Sequence, residues 1–341
     1  VQHGGRADGN DEFGGRSAIV EVGSQVTQDS EQFMSGAPEV SRLSLFGDLP
    51  TRGLLWLLKV TPRMPYIIEA IILGFFTTIV FLLARQQRNA IRRNLKAIWP
   101  ESSIAEQYVG AFRVFANFGW TYADGIRTRL GQKVITWEID GSDTFEEIRN
   151  KTEAAIILTT HTGNYDLAAA LFSPKFGRNL HTVRAPERSP LLQEIRRKEL
   201  QADVERYEHF KVHYNSSQSL LGIELARLLA AGELLAIQSD RVIAEVAGID
   251  LPIPNRDVSI RLPKGPMILA AISKCPCYPL HVVRVRYRHY RIVFKPSLQV
   301  IGKNGRSPKE EDYARAWAAS LMPFLEEHAL QWFVFEDAFT T

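Results

Sequence analysis

The chain reads as an α/β protein: a mostly parallel central sheet flanked by helices, preceded by an N-terminal hydrophobic helix that associates with a membrane. Three observations predict this. Between residues 136 and 238 short apolar runs alternate with helical patterns, and strands regularly separated by helices imply a parallel sheet with right-handed crossovers. Between Tyr66 and Ala84 the only charge is Glu69. The composition, 45% hydrophobic and 23% charged over 341 residues, is that of an ordinary globular protein and argues against whole-chain disorder or a multi-span membrane protein. The length suits one large domain with appendages or two modest ones.

Taken in order, residues 1–45 are rich in Gly, Ser, Gln, Asp and Glu, a composition that cannot bury enough surface to offset chain entropy, and read as a disordered tail. There is no basic-then-apolar signal peptide at residue 1. Residues 46–100 read as a membrane-associating helical segment. The run from Tyr66 to Ala84 reaches roughly 28 Å as a helix against a hydrocarbon core of ~30 Å, so spanning and in-plane insertion both fit, as does a buried helix of a soluble core. Arg85, Arg88, Arg92 and Arg93 follow at once and are expected at anionic head groups, marking a cytoplasmic side.

Ser103 with Glu106 three residues later forms a capping-box signature, followed by a helix whose apolar face carries Val109, Phe112, Phe115, Phe118 and Tyr122. "TWEIDG" is a strand, "TFEEIRNKT" a helix and "AAIILTT" the next strand. The alternation continues through "NYDLAAALF" (helix), "LHTVR" (strand), "SPLLQEIRRKELQ" (helix), "FKVHY" (strand), "SSQSLLGIELARLLAAG" (helix) and "ELLAIQS" (strand). After these come a helix in "GPMILAAISK", an antiparallel pair in "CYPLHVVRVRYR" and "HYRIVFKPSLQV", and a closing helix from about Pro308 to His328. Cys275 and Cys277 are too close for an easy disulfide and read as reduced apolar residues leading into a strand. A net charge of +3 is too mild to imply nucleic-acid binding.

In an open parallel sheet the reactive groups belong at the carboxyl ends of strands, where His161 follows "AAIILTT". Gly163 permits a sharp turn, Asn164 is a good N-cap, and Asp166 falls in the first turn of the following helix. The spacing lets the Asp166 carboxylate fold back on the imidazole, giving a base and its orienting acid. The plainer reading is a hydrogen-bonded turn histidine and a favourable charge at a helix N-terminus. The chain has no G-x-S-x-G elbow, no glycine-rich phosphate loop between strand and helix, and no metal-ligand spacing. A dyad without a protein nucleophile suits direct attack by a substrate hydroxyl on an activated acyl carbonyl.

The segments "RRNLKAIWP", "WEIDG", "ILTTHTGNYDLAAAL", "VRAPERSPLLQEIRRK", "AAGELLAIQSDR", "LPKGPMILAAISKCPCYPLHVVR" and "QWFVF" occur in the order seen in the bacterial lipid A biosynthesis acyltransferases of the lysophospholipid acyltransferase superfamily. The chain resembles that family over nearly its whole ordered length. The resemblance implies a glycerolipid acyltransferase-like fold, with residues 101–335 as the acyltransferase domain and catalysis on the pair His161 and Asp166. It implies acyl transfer from an acyl thioester, on acyl carrier protein or coenzyme A, to a hydroxyl of a membrane glycolipid at the cytoplasmic face of a bacterial inner membrane, with no further cofactor and no metal. The acceptor is a lipid A precursor or a related lipid; lysophospholipid, mannosylated phosphoinositide and ornithine-type lipids are the alternatives, and a non-catalytic glycolipid-binding protein is a reading from another class. Around the dyad the expected substrate-binding residues are Gly163, Asn164, Arg184, Asp240, Arg241, Gly265 and Arg284. Arg184 is placed to hold an acceptor phosphate, Asp240 and Arg241 to face the acceptor pocket, and Gly265 to open a helix beside the site. Arg284 starts the basic and aromatic stretch "RVRYRHYR", which reads as a solvated strand face or a basic rim toward phosphorylated lipid. Acyl length and oligomeric state are not legible.

Overall fold

The computed structural model of the chain describes residues 65–132, 135–186, 190–215, 220–243 and 246–340, which belong to one compact unit; the predicted tail and residues 46–64 lie outside the described residues. Three helices come first: α1 (Tyr66–Leu83), α2 (Arg85–Ile98) and α3 (Ile104–Arg129). The Ser103 capping box forms as expected, its hydroxyl accepting from the Glu106 amide while the Glu106 carboxylate accepts from the Ser103 amide.

Then follow β1 (Thr136–Asp140), α4 (Ser142–Asn150), β2 (Ala155–Thr159), α5 (Tyr165–Phe176), β3 (Leu180–Arg184), α6 (Pro190–Arg206), β4 (Phe210–Tyr214), α7 (Leu221–Ala230) and β5 (Leu234–Gln238). The remaining elements are β6 (Gly248–Pro252), β7 (Ser259–Pro263), α8 (Lys264–Ser273), β8 (Cys277–Arg286), β9 (His289–Phe294), α9 (Glu310–His328) and β10 (Phe339–Thr340).

The main sheet has the order β1-β9-β8-β2-β5-β3-β4. β8, β2, β5, β3 and β4 run parallel, while β9 turns back against β8 and β1 pairs parallel to β9, so the two strands at that edge point the other way. The sheet is thus mostly parallel, as expected. β2 sits at its centre and is apolar on both faces. Ile156 and Leu158 enter one core with α2, α3, α8 and α9, while Ala155 and Ile157 enter a second core under α4 and α5. A second sheet, β10-β7-β6, is antiparallel and is absent from the sequence-based expectation: "GIDLP" and "SIRLP" are five residues long and each ends on a proline. Cys275 and Cys277 are free thiols, the second buried at the start of β8.

α1 is zipped antiparallel along α3. Glu69 meets Arg127, Thr77 lies against Gly119, where an added Cβ would come within 3.3 Å of the threonine hydroxyl, and the Phe81 ring packs edge-on to Phe112 and Phe115. α2 joins the main core through Ile91, Leu95 and Ile98. Its arginines do not all face outward as the sequence suggested. Arg93 forms a bidentate pair with Asp337 (2.6 and 2.8 Å), Arg92 stacks 3.8 Å over Tyr108, and Arg88 donates to the Phe81 carbonyl at the end of α1 (2.9 Å). Arg88 and Arg92 are half-buried by these contacts, while Arg93, although paired, and Arg85 stay exposed.

Candidate active site

β2 and β5 are neighbours in the sheet, with Thr159 opposite Gln238. Two residues beyond each strand end stand His161 and Asp240, and the shared register brings them side by side. His161 Nδ1 lies 2.7 Å from Asp240 Oδ1, and Oδ2 of the same carboxylate accepts the His161 backbone N–H (2.7 Å) and the Trp332 indole N–H (2.7 Å). Asp240 is fully buried, and the chain after α9 closes over it, with the Phe333 amide donating to the His161 carbonyl (2.8 Å) and a bridge between Thr162 and Trp332.

Burial alone would raise the Asp240 carboxyl; the imidazole and the donors from His161 and Trp332 outweigh it and hold it below its usual range. Burial pulls the His161 imidazole below its ordinary value against the opposing pull of Asp240. The resting pair is therefore a carboxylate and a neutral imidazole. A carboxylate only accepts, so Nδ1 carries the proton and Nε2 presents a lone pair. Among the described residues Nε2 makes no hydrogen bond.

The turn that carries His161 is built for this orientation. Gly163 has φ +51°, and a Cβ there would lie 2.5 Å from the Val282 carbonyl oxygen, so glycine is required both for the backbone and for the space. Asn164 stands at the N-cap position of α5 but does not cap it: its side-chain amide donates to the Thr121 carbonyl of α3 (3.3 Å), fastening the turn to that helix. The Tyr165 ring sits edge-on to the imidazole, centroids 5.1 Å apart. Behind the turn, the Thr160 hydroxyl lies 2.8 Å from that of Thr162 and 3.1 Å from Nδ1 of His281. Burial holds His281 neutral at a pKa of about 3, and its ring stacks on Phe324.

The expected contact of Asp166 with the imidazole does not form. One Asp166 oxygen accepts from Arg184 Nη2, and the other from Arg129 Nη2 (2.9 Å) and Arg196 Nη1 (2.8 Å). Burial would raise this carboxyl, but three guanidiniums pull it far below the carboxylate range. The physical reason is placement: the first turn of α5 faces α3, α6 and the end of β3, each of which delivers an arginine, while the end of β5 delivers a carboxylate to the histidine. Asp166 thus ties three elements together beside the site. Asp240, expected in the acceptor pocket, instead orients the imidazole.

Arg184 ends β3 beside Asp166, with its Nη1 buried and unpartnered. Arg241 pairs with Glu336 (3.2 Å). Gly265 is exposed in the first turn of α8, a helix packed on α7 and α9, and a Cβ added there would meet nothing within 4 Å. Arg284 donates to Asn117 Oδ1 of α3 (2.7 Å), and its backbone exchanges hydrogen bonds with the Gln331 side chain.

A narrow cavity of about 70 Å³ runs under α5 along the sheet. Thr159, Thr160, Tyr165, Gln238 and Arg184 line its end at the strand termini, and Phe176, Leu180, Phe210 and Phe294 line its far end. Most of the remaining lining is apolar, including Ile157, Phe172, Ala236 and Val282. Sequence reasoning missed Trp332, Tyr165, Arg129 and Arg196. One signal bears on Asp240, which stands as far beyond β5 as His161 stands beyond β2, but it marks a partner only once β5 is known to lie beside β2.

A search of curated proteins returns no match. A family model described as "Bacterial lipid A biosynthesis acyltransferase" matches residues 34–341, the whole described region included. The ordered motifs, the α/β sheet and a match over this span lead to one conclusion: the chain belongs to the bacterial lipid A biosynthesis acyltransferase family.

Proposed function

We propose that this lipid A-type acyltransferase moves a fatty acyl chain from an acyl thioester, on acyl carrier protein or coenzyme A, to a hydroxyl of a lipid A precursor or related glycolipid at the cytoplasmic face of the inner membrane. The observation that carries the reading is the buried His161 and Asp240 pair, whose Nε2 keeps its lone pair, on a turn whose residues Thr160 and Tyr165 line the polar end of an apolar cavity.

His161 Nε2 takes the proton of the acceptor hydroxyl as its oxygen attacks the thioester carbonyl. The C–O bond forms, the tetrahedral adduct collapses with loss of the C–S bond, and the imidazolium returns its proton to the departing thiolate. Asp240 stabilises the imidazolium in between and keeps the ring in the tautomer that exposes Nε2. The cavity under α5 holds the acyl chain, and Arg184 with its spare Nη1 faces the anionic part of a substrate. The acceptor oxygen attacks directly, so no acyl-enzyme forms.

The test is single-turnover acyl transfer by purified His161→Ala, with folding followed by circular dichroism. We expect a loss of ~10^2 to 10^4-fold. Unchanged turnover in a folded variant sinks the assignment.

A further inference from the structure

We infer that α1 does not cross the bilayer but lies in its plane, immersed in the head-group region of an anionic leaflet by its outer apolar face. By length and composition the helix is able to span. Its contacts forbid that. Glu69, the single charge of the segment, is turned inward and buried, where it accepts from Arg127, from Arg288 Nη2 (3.1 Å) and from the Tyr287 hydroxyl (2.8 Å). The pairing with α3 continues through Thr77 and Phe81, so the helix is held along its length. To enter the bilayer end-on, α1 would have to break a buried ion network or drag α3, with Asp124, Arg127 and the core residues Val114 and Phe115, in after it.

The outer face has the chemistry of a lipid contact. Ile67, Ile71, Phe75, Leu82 and Leu83 are exposed, and the hydroxyl of exposed Thr78 donates to the Gly74 carbonyl one turn back (2.8 Å), so it leaves no donor that needs water. Groups suited to the membrane interface mark both ends. At the start of α1, Tyr66, Trp120 and Tyr287 pack as one aromatic cluster, with ring centroids 4.7 to 5.8 Å apart, and exposed Arg286 adjoins it in sequence. At the other end stands exposed Arg85. On a helix strapped flat along its domain, an apolar face exposed outward meets lipid side-on, and exposed Arg85 and Arg286 suit an anionic surface.

The arrangement deepens the acyl-transfer reading and depends on it only for its purpose. α3 touches α1 on one side and the His161 turn on another, through Thr121 with Asn164 and Phe118 with Phe333. One helix, ~10 Å across, therefore separates the docking face from the turn that bears the base.

The test places a nitroxide at residue 67, 71, 75 or 82 in turn, by Ile67→Cys, Ile71→Cys, Phe75→Cys or Leu82→Cys in the full chain with both native cysteines replaced. Collisional depth is then read on vesicles of phosphatidylethanolamine and phosphatidylglycerol. A similar shallow depth at all four, ~5 to 10 Å below the phosphates, is expected. A depth that changes steadily across the bilayer from residue 67 to 82 overturns the proposal, as do labels left in water or labels broadened by a second copy of the chain. Ile71→Glu with Phe75→Glu should lower vesicle partitioning by roughly tenfold or more; partitioning within twofold of wild type also overturns it. None of these readouts requires turnover, so docking and acyl transfer fail separately.

Discussion

Asp166 and Asp240 are two carboxylates withdrawn from solvent near one histidine, both held in the ionised state, and they differ in what holds them. Asp166 is caged by three arginines from three elements; Asp240 is bound to an imidazole, an indole and a backbone amide. The first arrangement fixes helices, and the second fixes a tautomer. Five residues of sequence separation bring Asp166 near the turn yet leave its carboxylate facing elsewhere, whereas strand register carries a residue 79 positions away into hydrogen-bond contact.

The comparison breaks most sharply on Asp240→Asn. We expect a kcat loss of about 10^2-fold or more with stability largely kept, because an amide can hold the ring in the wrong tautomer; a loss under threefold would return the orienting role to another group. Asp166→Ala should act mainly on stability. Removing the acid leaves partly buried Arg184 without its carboxylate, while Arg129 keeps Asp203 and Glu199 and Arg196 keeps Glu199, and chemical denaturation should show a loss of ~1 to 3 kcal/mol, with kcat at low temperature much closer to wild type than in Asp240→Asn. The reverse pattern in the two variants would exchange the roles of the two acids.

Ala168→Leu probes the cavity, which Asp166 lines and Asp240 does not. It should shift donor preference toward shorter chains at ~1 to 3 kcal/mol of stability, read by competition between thioesters of different length. The smallest effect is on pH. Because burial depresses the His161 pKa, the neutral base persists as pH falls through 6.5 and activity is lost only below that value. Asp240 opposes this depression, so in Asp240→Asn the acid limb of the rate profile should move to still lower pH. A limb that moves upward contradicts the pairing.

Much of the fold was legible because each strand from "TWEID" to "LLAIQ" carries its own apolar run bounded by helical periodicity. β6 and β7 were not, since each alternates over only five residues and closes on a proline, a residue that argues against a strand. In the site, the histidine and its glycine turn were readable from local chemistry. The partner was not, because it depends on which strands are neighbours: β5 lies beside β2 although β3, β4 and their helices come between them in the chain. Trp332 is harder still, as its indole reaches Asp240 from 92 residues away. Glu69 was visible as an isolated charge, and only the α3 pairing reveals that it points inward.

The clasp formed by Trp332 and Phe333 has a temporal consequence. Residue 332 lies 92 positions beyond Asp240 in the chain, and until it is made one carboxylate oxygen lacks its indole donor and the histidine carbonyl its amide. The full set of hydrogen bonds around the His161 and Asp240 pair is therefore completed only late in synthesis, as a final latch.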